Sequence, residues 1–317
     1  MRKNPTLDAV VIGRNEGARL VACLQSLQGA ARRIIYVDSG STDGSLAAAH
    51  DLGTEVIELD TTLPFTAARA RNAGLAALDD DTDYVQMVDG DCAIRSDWLE
   101  HARTFLDAHP KAAVACGRRR ERYPEASIYN RLADAEWDTE LGQTKACGGD
   151  ALMRFSALRA VGGYREDLIA GEEPELCVRL RQAGWQIWRL DHEMTWHDAQ
   201  MTRFSQWWRR SKRAGYAFAE GAALHGAPPE RHWVRETRRA VLWGAALPAV
   251  TVLGGLVFPA LWALLLAYPA QVIRLRARMG TEGAFFSVIG KFAEAWGVLG
   301  FAYDRAIGKK RVIIEYK

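Results

Sequence analysis

The chain has 317 residues, enough for one large domain or one domain with an appendage. Apolar residues make up 49% of it and charged residues 25%, so a sizeable core forms without disulfides. The formal net charge of +2 gives no argument for nucleic acid as a partner, and five scattered cysteines without metal-ligand spacing read as reduced thiols of a cytosol-facing protein. The amino terminus, MRKNPTLDAVVIGRNE, has no apolar signal core ahead of its first strand, which speaks against secretion.

In chain order, LDAVVIGRNE is a buried strand running into a polar loop at Gly13 to Glu16. GARLVACLQSLQGA follows with helical spacing, and Leu20, Cys23, Leu24 and Leu27 share one face. RIIYVDSGSTDGS is a second strand ending at Asp38, followed by a loop suited to opening a helix at Ser45. TEVIELD is a third strand, FTAARARNAGLAAL a helix and YVQMVDGDC a fourth strand. Strands alternating with helices, without tight hairpins, imply a parallel sheet covered on both faces. No Gly-x-Gly-x-x-Gly follows the first strand, which argues against a dinucleotide-binding fold, and there is no Walker loop.

The strand ends carry carboxylates. Asp38 can accept from a base or a ribose. Asp89 and Asp91, one residue apart, suit a hard six-coordinate cation such as Mg²⁺ or Mn²⁺ that would neutralise a nucleotide diphosphate; a plain Asp-Gly-Asp turn is the other reading.

Six segments in this order, VVIGRNE, VDSGSTDGS, ARARNAGL, MVDGDC, GGDALMRFSALRAVGGY and GEEPELCVRLRQAGW, resemble the family-2 glycosyltransferases over roughly residues 6–220. The resemblance implies a GT-A fold, an α/β architecture with a mixed, mostly parallel sheet flanked by helices. It implies a UDP- or GDP-sugar donor, a divalent metal and an inverting transfer. By the same resemblance the donor would meet Gly13, Asn15, Glu16, Asp38, Arg71, Asn72 and Asp89, with Asp89 and Asp91 at the metal.

GEEPELCVRLRQAGW reads as a helix with Pro174 in its first turn and Gly184 closing it. Glu172 and Glu173 then sit just ahead of the helix, whose positive end favours an ionised carboxylate; capping without chemistry is the alternative. The family usually has Glu-Asp here, with the second residue as base, so Glu173 takes that role and Glu172 supports it. In related metal-dependent enzymes a late histidine completes the cation site, and His197 corresponds to it. In QWWRR, Arg210 stands where the Gln-x-x-Arg-Trp motif of processive members has Trp, which puts processive polymerisation in doubt. Arg203, Gln206, Arg209 and Arg210 are suited to the diphosphate of donor or acceptor, or to anionic headgroups. CGRRRERYPEASIYNRL is basic and reads as a solvated face, with acceptor phosphates as the alternative.

Composition divides the chain. Residues 1–220 form the catalytic domain, 221–240 a basic juxtamembrane linker, 241–273 an uncharged stretch and 274–317 a basic, amphipathic segment. The uncharged stretch is too short for two spans, and Pro248, Gly254, Gly255 and Pro259 break a single long helix. Basic residues on both flanks favour a hairpin dipping into the bilayer from the cytoplasmic side, with a core hairpin as the bland alternative. EGAFFSVIGKFAEAWGVLGFAYDRAIGKKR suits an interfacial helix, or a helix packed on the catalytic domain. The whole reads as a glycosyltransferase at the cytoplasmic face of an inner or plasma membrane, moving one sugar to a lipid-linked or membrane-proximal acceptor in glycan assembly. Two rivals are a GT-A-like nucleotidyltransferase and a non-catalytic membrane scaffold.

Overall fold

The computed structural model describes residues 5–63 and 65–309, which divide into two compact units. The first holds residues up to Glu125, Ala133–Leu168 and Glu172–Gln200; the second holds Ala126–Leu132, Ile169–Gly171 and the chain from Met201 onward. The division falls earlier than residue 220, because the helix that follows Gln200 packs with the carboxyl-terminal helix of the second unit.

The first unit begins with β1 (Leu7–Gly13), α1 (Ala18–Leu27), β2 (Ile34–Asp38), α2 (Ser45–Asp51), β3 (Glu55–Glu58), α3 (Ala67–Ala76) and β4 (Tyr84–Asp89). β1 is buried on both faces from Leu7 to Ile12, as a central parallel strand must be. Leu20, Cys23, Leu24 and Leu27 of α1 are fully buried, the i, i+3, i+4, i+7 set that its spacing predicts. Then come β5 (Cys92–Ile94), α4 (Trp98–Ala108), β6 (Ala112–Glu121), α5 (Ile128–Glu136, of which residues 128–132 belong to the second unit), β7 (Gly142–Thr144), β8 (Ala151–Arg154), α6 (Phe155–Ala160), α7 (Glu172–Gln182) and β9 (Gln186–His197).

Among the described residues these strands form one sheet in the order β3-β2-β1-β4-β8-β6-β9-β5, with β7 paired to β9. The first four strands are parallel. β8 runs antiparallel to both β4 and β6, so the sheet is mixed. Register aligns Gly13 with Asp38 and Ile12 with Asp89, which puts those strand ends on one edge. The chain leaves β1 toward β2 on one side and returns through β4 on the other. That reversal is the switch point at which open α/β sheets leave a crevice for ligands.

The second unit contains α8 (Phe204–His225), α9 (Val234–Val241), α10 (Leu247–Gly255) and α11 (Ala267–Ala306), the last broken at Met279 and Gly280. A π-helical turn at Leu242–Ala246 precedes Pro248, and a 3-10 stretch spans Pro259–Leu266. The chain reverses at residues 256–258, where the glycines and Pro259 predict a break. Gly255 meets the Trp262 ring, and the Tyr268 hydroxyl donates to the Trp243 carbonyl at 2.8 Å. Leu253, Leu256, Val257, Phe258, Leu266 and Ile273 on this hairpin are all about two-thirds exposed or more: 68%, 75%, 69%, 67%, 68% and 72%. Within the described residues, one helix, Pro259–Ala306, is long and apolar enough to cross a membrane.

The part of α11 after Gly280 packs within the second unit. Ala284, Val288, Ala293 and Val298 are buried, and the helix packs against α8 and α9. Small residues allow that approach: a Cβ added at Gly215 or Gly297 would overlap the backbone of Glu294 or Lys212. Gly215→Ala should therefore destabilise the protein by about 1–3 kcal/mol in urea unfolding. Gly44→Ala, with nothing within 4 Å of the added carbon, is the control and should cost far less. Equal behaviour of the two variants would show that the helices are not in close contact.

Candidate active site

The loops after β1 and β2 are fastened together. The Asn15 amide donates to Ser41 Oγ at 2.9 Å, and Asn15 Oδ1 accepts from the Thr42 amide at 2.7 Å. Asp38 is buried and shapes the second loop: Oδ2 accepts from the amides of Gly40 and Ser41 at 2.8 and 2.7 Å, and Oδ1 from the Tyr36 hydroxyl at 2.7 Å. Glu16 pairs with Arg19 at 2.7 Å, and its chain packs where a Cβ on Gly13 would come within 3.1 Å. Gly13, Asn15, Glu16 and Asp38 thus line one edge, as their sequence positions predict.

Arg71 on α3 is the hub of the site and is only 2% exposed. Its guanidinium donates from Nη1 to Glu172 Oε1 at 2.7 Å and from Nη2 to Asp89 Oδ1 at 2.7 Å, and lies 3.0 Å from Glu173 Oε1. Burial works against its positive charge, but Glu173, Asp89 and Glu172 more than restore it. Glu172 and Glu173 occupy the first turn of α7 rather than the stretch ahead of it. Burial, and then the charge of Glu172, push the Glu173 carboxyl up to about 7, with Arg71 opposing them. A carboxylate with that affinity for a proton is a serviceable general base near neutrality.

Asn72, the next residue, does something else. Its Nδ2 donates to the Tyr164 carbonyl at 2.8 Å and to Glu166 at 2.9 Å, and its Oδ1 accepts from the Tyr164 amide at 2.8 Å. The side chain clamps the loop at residues 163–166 instead of joining Asp89, as neighbours about 100° apart on a helix should.

The two aspartates of the triplet also face different partners. Asp89 is held by Arg71 and, at 3.4 Å, by Arg119. Asp91 is 6% exposed, and its Oδ2 lies 3.3 Å from His197 Nε2. Antiparallel pairing of β5 with β9 sets Cys92 opposite His197 and so brings the imidazole to Asp91. Two adjacent ligands of an octahedral ion with bonds of ~2.1 Å lie about 3 Å apart, so this pair fits Mn²⁺ or Mg²⁺. The donor set, one imidazole and one carboxylate, is closer to what Mn²⁺ takes. Cys92 lies within reach of both aspartates, and burial pushes its thiol up.

Sequence reasoning missed three residues. Arg119 pairs with Asp150 at 2.8 Å and lies over the Trp137 ring, so it points inward. Asp150, fully buried, accepts from the Asp89 amide at 3.0 Å and from Thr195 at 2.9 Å. Glu121 lies on the far side of His197. The segment around Arg118–Arg120 is therefore not a solvated face: Arg118 meets Asp138 at 2.6 Å, and Arg120 meets Glu193 at 2.7 Å. Gly149, in the GGD segment, is required by contact, since a Cβ there would lie 2.5 Å from Asp89 Oδ2.

Arg203, Gln206, Arg209 and Arg210 belong to the second unit. Gln206 Oε1 accepts from the amides of Thr202 and Arg203, both at 2.9 Å, and so caps α8. Trp207 is buried against Tyr129 and Phe286, while Arg203 and Arg209 are exposed.

Residues 8–162 match the family model described as Glycosyl transferase family 2. The chain is 28% identical over 193 residues to the succinoglycan biosynthesis protein ExoA of Rhizobium meliloti, covering 56% of this chain and 58% of that one. It is 30% identical over 233 residues to the pre-mycofactocin glycosyltransferase of Mycobacterium tuberculosis, covering 68% of this chain and 47% of that one. The chain thus spans about half the length of these curated relatives. Among solved structures, the mannosyltransferase PcManGT from Pyrobaculum calidifontis in complex with GDP-Man and Mn²⁺ superposes with a TM-score of 0.66 at 19% identity, over 96% of this chain and 89% of that one. TarS of S. aureus superposes with a TM-score of 0.55 at 14% identity, over 95% and 92%. These likenesses establish the GT-A fold.

Proposed function

We propose that this chain, which carries a glycosyl transferase family 2 domain, moves one sugar from a UDP- or GDP-sugar to a lipid-linked acceptor, with inversion, in polysaccharide assembly. One observation carries the reading: Arg71 ties Asp89, in the acidic triplet, to Glu172 and Glu173, so triplet and pair belong to one site. The solved PcManGT complex holds GDP-Man and Mn²⁺, and the curated relative ExoA is a succinoglycan biosynthesis protein, which favours a nucleotide-sugar donor, a divalent cation and a polysaccharide product.

The fastened loops at Asn15 and Asp38 would cradle the nucleoside at the switch point. Asp91 and His197 would hold a divalent cation, which when bound supplies positive charge for the departing diphosphate. Glu173 takes the proton from the acceptor hydroxyl, with Arg71 holding its carboxylate in place and the charge of Glu172 raising its proton affinity. The hydroxyl oxygen then bonds to the anomeric carbon from the face opposite the nucleotide as the bond to the diphosphate breaks, which inverts the centre. No covalent enzyme intermediate is needed.

The exposed apolar hairpin motivates the acceptor class and a location at the cytoplasmic face of the inner or plasma membrane, with the flanking arginines toward anionic headgroups. Arg203, Arg209 and Arg210 are proposed to meet lipid phosphates there. Purified protein with labelled UDP- and GDP-sugars, Mn²⁺ and a polyprenyl-diphosphate-linked acceptor should yield a glycosylated lipid and a free nucleoside diphosphate. Transfer to soluble sugars but never to the lipid overturns the acceptor assignment. Release of pyrophosphate instead would identify a nucleotidyltransferase.

A further inference from the structure

We propose that Glu121 is a positioning residue for the cation site, holding the His197 imidazole so that Nε2 faces Asp91. The inference rests on the reading of Asp91 and His197 as cation ligands and assigns a role to a residue outside that pair.

Glu121 is the last residue of β6, and the parallel β6–β9 register sets it directly across from His197. Its side chain is fully buried. A carboxylate taken out of water is retained at low cost only when its oxygens are bonded. Here Oε2 lies 3.4 Å from His197 Nδ1 and accepts from the Ala199 amide at 3.1 Å, while Oε1 accepts from the Tyr123 amide at 3.1 Å. The backbone on both sides is fixed as well: the Glu121 amide donates to Asp134 at 2.8 Å, and the Arg122 amide to the His197 carbonyl at 2.7 Å. The Trp137 ring meets the imidazole edge-on, with centroids 4.8 Å apart, and limits its rotation.

Carboxylates face both ring nitrogens, Glu121 at Nδ1 and Asp91 at Nε2. A cation between Nε2 and Asp91 Oδ2, 3.3 Å apart, would need the lone pair on Nε2, and the proton left on Nδ1 would then donate to Glu121 Oε2. A carboxylate behind a ligating imidazole fixes the tautomer and strengthens the ligand, and its loss typically weakens metal binding by about 10–100-fold. β9 thus meets β5 on one side, which brings His197 to Asp91, and β6 on the other, which brings the group that orients it.

The test is Mn²⁺ binding to the full chain with UDP or GDP present, read from the electron paramagnetic resonance of free Mn²⁺, alongside unfolding temperature without metal. Glu121→Leu should weaken Mn²⁺ binding by about 10–100-fold. It should weaken Mg²⁺ binding less, because the imidazole contributes more to the Mn²⁺ site. Glu121→Gln keeps an acceptor for Nδ1 but not the charge, and should fall between Leu and wild type. If Glu121→Leu does not fold, Glu121→Gln carries the test, with weaker Mn²⁺ binding at an unchanged unfolding temperature as the expected result. Unchanged Mn²⁺ affinity in either folded variant overturns the proposal. Equal weakening of both ions with a lowered unfolding temperature also overturns it, as a purely structural role. A wild-type chain that binds no Mn²⁺ overturns instead the reading of Asp91 and His197.

Discussion

Glu173→Gln should lower kcat by about 10²–10⁴-fold while leaving Mn²⁺ and nucleotide affinity near wild type. The amide is nearly isosteric and still accepts from Arg71, but it cannot take the acceptor's proton. The sign of the pH dependence follows from the raised proton affinity of Glu173, pushed up to about 7 by burial and by Glu172. Only the ionised form is a base, so kcat/KM should rise with pH, reach half its plateau near pH 7 and fall to roughly a tenth of it at pH 6. Glu173→Asp keeps the charge but withdraws it by one methylene, and should retain part of the activity. Full activity in Glu173→Gln would move the base elsewhere, with Glu172 the first candidate.

Arg71→Leu should destabilise the fold by about 3–5 kcal/mol, because it leaves Glu172 and Glu173 without their cation and Asp89 with Arg119 at 3.4 Å. The cost arises from unpaired charge in a buried place more than from lost contacts. Arg71→Lys should not restore the site, since one ammonium cannot match the planar fork that reaches three carboxylates from two nitrogens. Any Lys variant that folds should also need a higher pH for activity, because a poorer cation relieves the Glu173 carboxylate less. Wild-type stability in Arg71→Leu would mean that the three carboxylates are not gathered as described.

The parallel half of the sheet was legible because doubly covered strands read as continuous apolar runs. VVIG, IIYVD and YVQMVD are of that kind, and each ends near a polar group of the site. That Glu172 and Glu173 lie at the amino-terminal end of α7 was legible to within a turn, because Pro174, Leu176, Leu180 and Gly184 mark the helix. The antiparallel half was not. Register shifts in β6 around Cys116, Arg118 and Arg119 change which face each arginine takes, and one residue of slip reverses the side chain. A run of Arg118, Arg119 and Arg120 therefore gave no sign that the middle one enters the site. Asp150 and Glu121 were hidden because their partners, Asp89 and His197, lie 61 and 76 residues away in sequence. Adjacency gave no sign that Arg71 and Asn72, about 100° apart on α3, take different partners.

The proposed chemistry has Asp91 and His197 sharing one divalent cation beneath the donor's diphosphate. Crystals grown with Mn²⁺ and either UDP or GDP, measured for manganese anomalous scattering, test it most directly. One strong peak is expected within about 2.3 Å of both an Asp91 carboxylate oxygen and His197 Nε2, with diphosphate oxygens completing the shell. Nucleotide bound in the crevice with no peak there, or with manganese seated at Asp89 and Asp150 instead, would contradict it.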